Sequence, residues 1–247
     1  MTAFPASLLI GTAGWTLPRA EQHRFPEVGA HLARYAAHLP AAEINSSFYR
    51  QHRRATYERW AATVPASFRF SVKLAKTITH EQRLVDTERR LDEFLADVAG
   101  LGDRLGCLLV QLPPKLELDV GIARRVFASL HARHTSGIAV EPRHPSWFTP
   151  DAHHLLEELA VARVAADPAI VPAAAEPGGS RSMIYYRLHG SPRMYYSAYD
   201  GAALEALASQ VQRGRAAGVT VWCIFDNTAH GAALGNALAL SERLHRP

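Results

Sequence analysis

A chain of 247 residues with 48% hydrophobic and 20% charged residues has the composition of a globular protein, which excludes an intrinsically disordered chain. Its longest apolar runs, such as residues 219–225, fall far short of the roughly 20 residues of a membrane-spanning helix, so we expect no membrane partner. The net charge of +4 permits an anionic partner, but the basic residues are dispersed along the chain. The amino terminus resembles no signal peptide, and Cys107 and Cys223 lie in apolar runs, so we expect a cytoplasmic protein with reduced core thiols.

Short runs rich in β-branched and aromatic residues alternate with amphipathic stretches, a pattern that predicts βα units. Eight strands are predicted, at residues 7–12, 41–46, 68–73, 106–112, 137–142, 161–167, 184–190 and 219–226. Seven helices are predicted, at residues 28–38, 53–64, 88–100, 119–134, 151–160, 200–217 and 230–244. The pattern therefore predicts an α/β fold, a single (β/α)₈ TIM barrel over residues 1–247 in which strand eight pairs with strand one.

Local signals support several helix ends and one interruption. Asp119, Asp200 and Thr149 each precede a helical stretch with a side chain able to accept from exposed N–H groups, and Gly218 is a suitable stop. Residues 168–183 are rich in Ala, Pro and Gly without helical periodicity, so we expect the helix after strand six to be missing or irregular.

Polar residues end most of the predicted strands and recur at every second position. Side chains two apart on a strand share a face, and one face of a barrel strand looks toward the barrel axis. The apolar residues between them, such as Ile44, Val72 and Leu188, would then face the helices. The polar residues placed inward or at strand ends are Glu43, Asn45, Ser71, Lys73, Gln111, Glu141, Arg143, Asp167, Arg187, His189, Asp226 and Asn227.

This polar layer predicts a ligand or active site, because barrel enzymes carry their chemistry at the carboxyl ends of the strands. A barrel built only for stability would use Val, Ile and Leu there, since each buried charge costs several kcal/mol. The candidate catalytic residues are Glu141 and Asp226, either of which would serve as general base or metal ligand, and His189 as acid. The candidate substrate-binding residues are Glu43, Asn45, Tyr49, Lys73, His80, Gln111, Arg143, His144, Trp147, Asp167, Arg187 and Asn227. For any single pair, such as Glu141 with Arg187, a structural ion bridge is the competing interpretation.

A divalent metal is an alternative that the sequence leaves open. Asp167, Glu141, His189 and Asp226 lie on consecutive predicted strands and form an arc of candidate ligands. The chain has no HExxH or CxxC spacing, and the lysine and arginines of the same layer would repel a cation unless carboxylates neutralise them. Residues 11–14 (GTAG) match neither a P-loop nor a dinucleotide fingerprint. We assign no residue as a metal ligand, and the sequence leaves the cofactor unknown, with a divalent metal still possible.

Several motifs along the chain carry a resemblance to a known family. They are residues 10–15 (IGTAGW), 43–49 (EINSSFY), 70–73 (FSVK), 79–80 (TH), 111–114 (QLPP), 141–147 (EPRHPSW), 187–190 (RLHG) and 225–228 (FDNT). Together they resemble the YecE-like family of uncharacterised TIM-barrel proteins over nearly the whole chain. The resemblance implies a barrel related in shape to the xylose isomerase and apurinic endonuclease superfamily, and it implies no settled activity. The family's longer aromatic segment is short here, at residues 16–26, and the endonucleases' histidine-rich zinc pattern is missing.

Two classes of function follow from these residues. The first is an enzyme acting on a phosphate-bearing or nucleic-acid substrate, such as a phosphoester hydrolase, with Lys73, Arg143 and Arg187 holding the anion. The alternative is a non-catalytic protein that binds nucleic acid or a small anion, since aromatic and basic residues adjoin at Tyr49 and Arg50. An enzyme of sugar or other small-molecule chemistry remains a third reading, and the sequence leaves the substrate, the reaction and the oligomeric state open.

Overall fold

The computed structural model describes residues 7–245, in which ten strands form one sheet that closes into a barrel. The strands are β1 (Leu8–Ala13), β2 (Ala41–Ile44), β3 (Arg69–Lys73), β4 (Leu105–Gln111), β5 (Gly137–Glu141), β6 (Ala162–Arg163), β7 (Ala165–Asp167), β8 (Gly178–Gly179), β9 (Met183–Leu188) and β10 (Thr220–Phe225). β6 and β7 are two parts of one barrel strand divided at Val164, and they pair with β5 and β9 respectively. The predicted closure is confirmed, because β1 runs parallel to β10 with Gly11 opposite Ile224.

Seven α-helices surround this barrel in the described part of the chain. They are α1 (His31–Ala36), α2 (Arg54–Thr63), α3 (Glu88–Val98), α4 (Val120–Arg133), α5 (Pro150–Glu158), α6 (Gly201–Ala216) and α7 (Ala232–Leu244). Shorter turns are 3₁₀ segments at Gln22–Arg24, Ser46–Phe48, Ala99–Arg104, Pro145–Phe148 and Pro172–Ala175, and a π segment at Thr77–Glu81. None of the helices within residues 7–245 is long and apolar enough to cross a membrane.

The predicted helix ends and the irregular connection are both confirmed. The side chains of Asp119, Thr149 and Asp200 accept hydrogen bonds from backbone N–H groups at 2.8, 3.2 and 2.8 Å. Gly218 follows α6 with a φ of 74°, a conformation that glycine adopts without strain. Between β7 and β9 the chain forms only a 3₁₀ turn and the two-residue strand β8, which pairs antiparallel with β6.

Two apolar clusters lie on the two faces of the sheet. The outer cluster, between strands and helices, includes Ile44, Val72 and Leu188, as the alternation predicted. The inner cluster fills the barrel below the polar layer with Leu9, Ala41, Cys107, Leu109, Ala139, Ala162, Val164, Met183, Tyr185, Trp222 and Ile224. Within this cluster the rings of Tyr185 and Trp222 stack with their centroids 5.8 Å apart, and side chains fill the interior of the barrel.

Gly11, in the motif at residues 10–15 (IGTAGW), is required by the packing of β1 against β2. A Cβ atom on Gly11 would lie 2.1 Å from the carbonyl oxygen of Ala41, so only glycine permits this close approach of β1 to β2. The hydroxyl of Tyr35 bridges the same two strands, because it accepts from the Thr12 N–H and donates to the Ala41 carbonyl, both at 2.9 Å. This junction fixes the strand that places Glu43 at the barrel mouth.

Candidate active site

The fully buried guanidinium of Arg187 lies at the centre of the polar layer. Its Nε and Nη2 donate to the two oxygens of Glu43 at 3.0 and 2.7 Å. Nη1 lies 3.2 Å from Glu141 Oε2, and Nη2 lies 3.0 Å from Asp226 Oδ2. Burial disfavours the guanidinium charge, but the three carboxylates outweigh it and hold the pKa of Arg187 well above its usual value. Arg187 therefore joins β2, β5 and the end of β10 through donors that are already occupied.

The imidazole of His189 lies between two of the same carboxylates. Its Nδ1 is 3.0 Å from Asp226 Oδ2 and its Nε2 is 2.8 Å from Glu141 Oε1. Burial alone would lower the pKa of His189, but the negative charge of Glu141 and the hydrogen bonds to both carboxylates raise it above 6.5. In this geometry the charged imidazolium can donate from both nitrogens.

Glu141 is the carboxylate with the most partners. Besides Arg187 and His189, it accepts from Nη2 of Arg143 at 2.6 Å and from Nε2 of Gln111 at 2.9 Å. Burial would raise the pKa of Glu141, but the positive charges of Arg187, His189 and Arg143 lower it well below its usual value. The Arg143 side chain is 15% exposed, so it forms the boundary between this buried cluster and solvent.

Tyr185 supports Glu43 from below and was not selected from the sequence. Its hydroxyl lies 3.0 Å from Glu43 Oε2 and 2.9 Å from the Ser71 hydroxyl. Burial, reinforced by the charge of Glu43, raises the pKa of Tyr185 well above its usual value, so the phenol stays protonated. The signal was available, because Tyr185 precedes Arg187 by two residues and therefore shares its face.

Lys73, at the end of β3, differs from the other charged groups of the layer. The residue is 5% exposed, yet within residues 7–245 its Nζ has no hydrogen-bond or ion-pair partner. Nζ instead lies 4.0 Å from the centroid of the Phe48 ring. Burial and the positive charge of Arg187 lower the pKa of Lys73 to about 8, against a partial offset from the carboxylates Glu43, Glu141 and Asp226.

The loop after β2 places the aromatic wall against this lysine. The Ser47 hydroxyl lies 2.8 Å from the Ile44 carbonyl and 2.6 Å from the Lys73 carbonyl, so it ties the ends of β2 and β3 together. Phe48 follows in the same 3₁₀ turn and packs edge-on against the His80 ring, with centroids 4.9 Å apart. Burial lowers the pKa of His80, as do the positive charges of Lys73, Lys76 and Arg143. The motif at residues 43–49 thus builds one side of the mouth.

A cavity of about 430 Å³ adjoins the cluster between the loops that follow β1 and β2. Glu43 forms part of its wall, and Asn45 and Tyr49 line it as well, together with Trp15 and His31. Tyr49 is 75% exposed, and the buried Oδ1 of Asn45 has no hydrogen-bond partner among the described residues. Of the charged cluster, Glu43 is the member that lines this cavity.

Comparison with known proteins assigns the family. Residues 9–247 match the family described as "Protein of unknown function DUF72". The chain belongs to the DUF72 family. The resemblance of its motifs to YecE-like proteins is thereby confirmed.

Two curated relatives of this DUF72 chain have local similarity to it. The YunF protein of Bacillus subtilis is 27% identical over 125 residues, which are 48% of this chain and 44% of that protein. The YecE protein of Escherichia coli K12 is 28% identical over 143 residues, which are 57% of this chain and 50% of that protein. The chain therefore spans about half the length of the curated relatives it matches.

Solved DUF72 structures share the whole fold. A DUF72 protein of Enterococcus faecalis superposes with a TM-score of 0.81 at 21% identity, covering 97% of this chain and 96% of the other. One from Thermotoga maritima gives a TM-score of 0.80 at 21% identity, covering 97% of this chain and all of the other, 100%. These likenesses support the predicted barrel.

Two further residues predicted for the DUF72 site, His144 and Trp147, lie in the loop after β5. Nδ1 of His144 is 2.9 Å from the Ser146 hydroxyl and accepts from the Ser146 N–H at 3.3 Å, so it caps the following 3₁₀ turn. Trp147 is buried, and its Nε1 donates to the Leu116 carbonyl at 3.0 Å. Both side chains organise the loop.

Asp167 and Asn227 lie at strand ends but outside the cluster. Asp167 has the same parity as Ala165, which packs in the outer core, and its carbonyl accepts from the Tyr199 hydroxyl at 3.3 Å. Asn227 is buried and donates from Nδ2 to the Ser197 carbonyl and to Oδ1 of Asn236, both at 2.9 Å. The structure therefore brings Glu43, Lys73, Gln111, Glu141, Arg143, Arg187, His189 and Asp226 together, with His80 at the edge.

Tyr195 is a second residue that the sequence-based selection omitted. Its ring packs edge-on over the imidazole of His189, with centroids 5.6 Å apart. The φ of 70° at Tyr195 is uncommon for a residue other than glycine, and such conformations concentrate at functional sites. Burial and the charge of Asp226 raise the pKa of Tyr195. The sequence showed a tyrosine after strand seven, but the loop conformation that brings it over His189 has no sequence pattern.

The described residues contain no group of three or more His, Cys, Asp and Glu side chains able to hold a metal ion. The candidate ligands Glu141, His189 and Asp226 are instead bound to one another and to Arg187. Their pairing is the chemistry of a charge-balanced hydrogen-bond network.

Proposed function

We propose that the barrel mouth of this DUF72 protein is the active site of an enzyme acting on a small phosphate-bearing substrate. The observation that carries the proposal is a charge imbalance. The cluster contains three carboxylates, those of Glu43, Glu141 and Asp226. Three basic groups form ion pairs with them and balance their negative charge, namely Arg187, Arg143 and His189, whose pKa is raised. The positive charge of Lys73 is then left without a carboxylate, which favours an anionic partner.

The ligand contacts follow from which donors remain free. Arg187 is occupied by three carboxylates, and Arg143 is paired with Glu141 through its Nε and Nη2. We therefore assign the anion to Lys73 and to the remaining Nη1 of the partly exposed Arg143, with His80 beside them. A phosphate held there would gain charge-assisted hydrogen bonds in a site with little water.

The catalytic assignments are refined in the same way. The lowered pKa values of Glu141 and Asp226 make both carboxylates weak bases, so we assign them to holding the charge of His189. The pKa of His189 is raised above 6.5 by the two carboxylates that hold it, which favours its charged, proton-donating form, and we assign the role of general acid to it. Tyr195 covers this imidazole and would limit its contact with water.

Binding of single-stranded nucleic acid without catalysis is the second candidate, and the exposure of Tyr49 favours it. The ring is 75% exposed, stands beside the exposed Arg50, and presents a face on which a base can stack. Such binding would weaken steeply with salt, because several phosphates would release counterions. A single phosphate in the barrel mouth would show a much shallower dependence.

We expect Arg143→Met to weaken the binding of inorganic phosphate and glycerol 3-phosphate by about tenfold to a hundredfold, the scale of one charged hydrogen bond. Isothermal titration calorimetry on the intact chain measures this. Arg89→Met is the matched control, since Arg89 is exposed on α3 and its ion-pair partner among residues 7–245 is Glu93. Arg143→Lys retains the positive charge, so it is the control that separates a loss of phosphate contacts from a loss of folding.

The outcomes separate the two candidates. Unaltered phosphate affinity in folded Arg143→Met, or no affinity in the parent chain, would overturn the assignment. Binding of an oligonucleotide but of neither phosphate compound, lost on Tyr49→Ala and steeply dependent on salt, would favour the nucleic-acid alternative.

A further inference from the structure

Lysine is rare in this chain. Of the 27 basic residues counted as Lys and Arg, only Lys73, Lys76 and Lys115 are lysines. Arginine supplies a permanent positive charge and holds phosphate through two parallel hydrogen bonds, so it would serve an anion site at least as well. Lysine differs in one chemical respect, because it can lose its proton and become a nucleophilic amine. The single lysine inside the barrel therefore points to amine chemistry.

The surroundings of Lys73 fit a reactive amine. Nζ has no hydrogen-bond or ion-pair partner within residues 7–245, so no bond must break before it attacks. The Phe48 ring, 4.0 Å away, covers one side with apolar surface. Three carboxylates, Glu43, Glu141 and Asp226, lie near enough to act on its charge but are held by arginine.

We propose that Lys73 forms an imine with the carbonyl group of a phosphate-bearing aldehyde or ketone, an inference that rests on the proposed function and names its substrate class. The Nζ lone pair attacks the carbonyl carbon, the C–N bond forms, and the carbonyl oxygen becomes a hydroxyl. Loss of that hydroxyl with the second amine proton, as water, leaves the C=N bond. The step consumes no oxidant or reductant.

The rest of the site suits the imine. Protonation of its nitrogen gives an iminium cation, whose charge would be offset by the bound phosphate together with the partial attraction of Glu43, Glu141 and Asp226. Arg143 and His80 stand beside Lys73 to hold the phosphate. The lowered pKa of Lys73, about 8, also favours nucleophilic attack. At pH 8 about half of the Lys73 side chains carry a neutral amine, a fraction roughly a hundredfold larger than for an exposed lysine.

Reductive trapping on the intact chain tests the proposal. Glycolaldehyde phosphate is incubated with the protein at pH 8, borohydride reduces any imine to a stable secondary amine, and peptide mass spectrometry locates the label. Lys73 is expected to carry at least about ten times more label than Lys76 or Lys115, both exposed. Lys76→Met is the control that keeps the Lys73 label. Unphosphorylated glycolaldehyde should label Lys73 several-fold less.

The outcomes distinguish this inference from the function on which it rests. Lys73→Arg keeps the positive charge and removes the reactive amine, so its loss of label together with continued phosphate binding supports the imine. Phosphate binding in the parent chain without preferential labelling of Lys73 overturns the imine and leaves the proposed function standing. Absence of phosphate binding by calorimetry overturns the proposed function first.

Discussion

Replacing Arg187 by methionine is expected to lower the free energy of unfolding by about 3–5 kcal/mol, the cost of removing one partner from a buried ion pair. Methionine fills much of the volume but leaves Glu43 and Asp226 buried without their guanidinium partner. Urea denaturation at pH 7 measures the loss. The deficit should narrow as the pH falls, because protonation removes the uncompensated negative charge.

A second substitution tests whether charge is the cause. Glu43→Gln added to Arg187→Met removes one of the stranded carboxylates and should recover part of the lost stability. The unfolding free energies of the two single variants should accordingly not add, since the residues share hydrogen bonds at 2.7–3.3 Å. An Arg187→Met protein as stable as the parent at pH 7 would contradict the central place given to this guanidinium.

Lys73→Met is expected to make the protein more stable, by on the order of 2 kcal/mol at pH 7. The folded-state pKa of about 8 lies below the 10.5 of an exposed lysine, so the folded protein binds the lysine proton less tightly than the unfolded chain does. The charged Lys73 therefore lowers the free energy of unfolding. This destabilisation is complete below about pH 8 and disappears as the pH rises toward 10.5. The stability gained by Lys73→Met should likewise be largest below about pH 8 and should vanish as the pH approaches 10.5. Such a cost is typical of a residue kept for function.

The control for this prediction is Lys76→Met. Lys76 lies three residues away, is 53% exposed, and contacts Glu81 at 3.6 Å, so its replacement should change stability by less than about 0.5 kcal/mol at any pH. The groups whose charges act on Lys73 are Arg187, which disfavours its ammonium, and Glu43, Glu141 and Asp226, which favour it. A loss of stability in Lys73→Met would mean that the carboxylates dominate and that Lys73 serves as their partner.

The alternation of strand-like runs with amphipathic stretches was sufficient to predict the barrel, and the alternation of polar residues within the strands was sufficient to predict most of the cluster. Strand parity is a local property of the backbone, so Glu43, Glu141, Arg187 and His189 could be assigned to one face without knowing the fold's details. The same rule places Tyr185 on the inward face, because it precedes Arg187 by two residues in the strand.

The ion-pair partners of the charged residues and the conformations of the loops could not be predicted from the sequence. Parity assigns a face but no partner, so Arg187 was assigned to the ligand although three carboxylates occupy it. A position near the end of a strand also does not determine whether a side chain faces the barrel axis. Asp167 and Asn227 lie at strand ends, yet both lie outside the cluster. Tyr195 depends on a loop conformation with positive φ, which no periodic pattern encodes.

The central claim is that Lys73 stands unpaired in the barrel mouth and accepts an anion there. Titration of the lysine side chains by NMR, with ¹³C in the lysine ε-carbons, tests it most directly, because three lysines give three signals that Lys76→Met and Lys115→Met assign. We expect one signal to titrate near pH 8, and its pKa to rise when inorganic phosphate is added, since a bound anion favours the ammonium. Three signals titrating near pH 10.5, with no response to phosphate, would contradict the account.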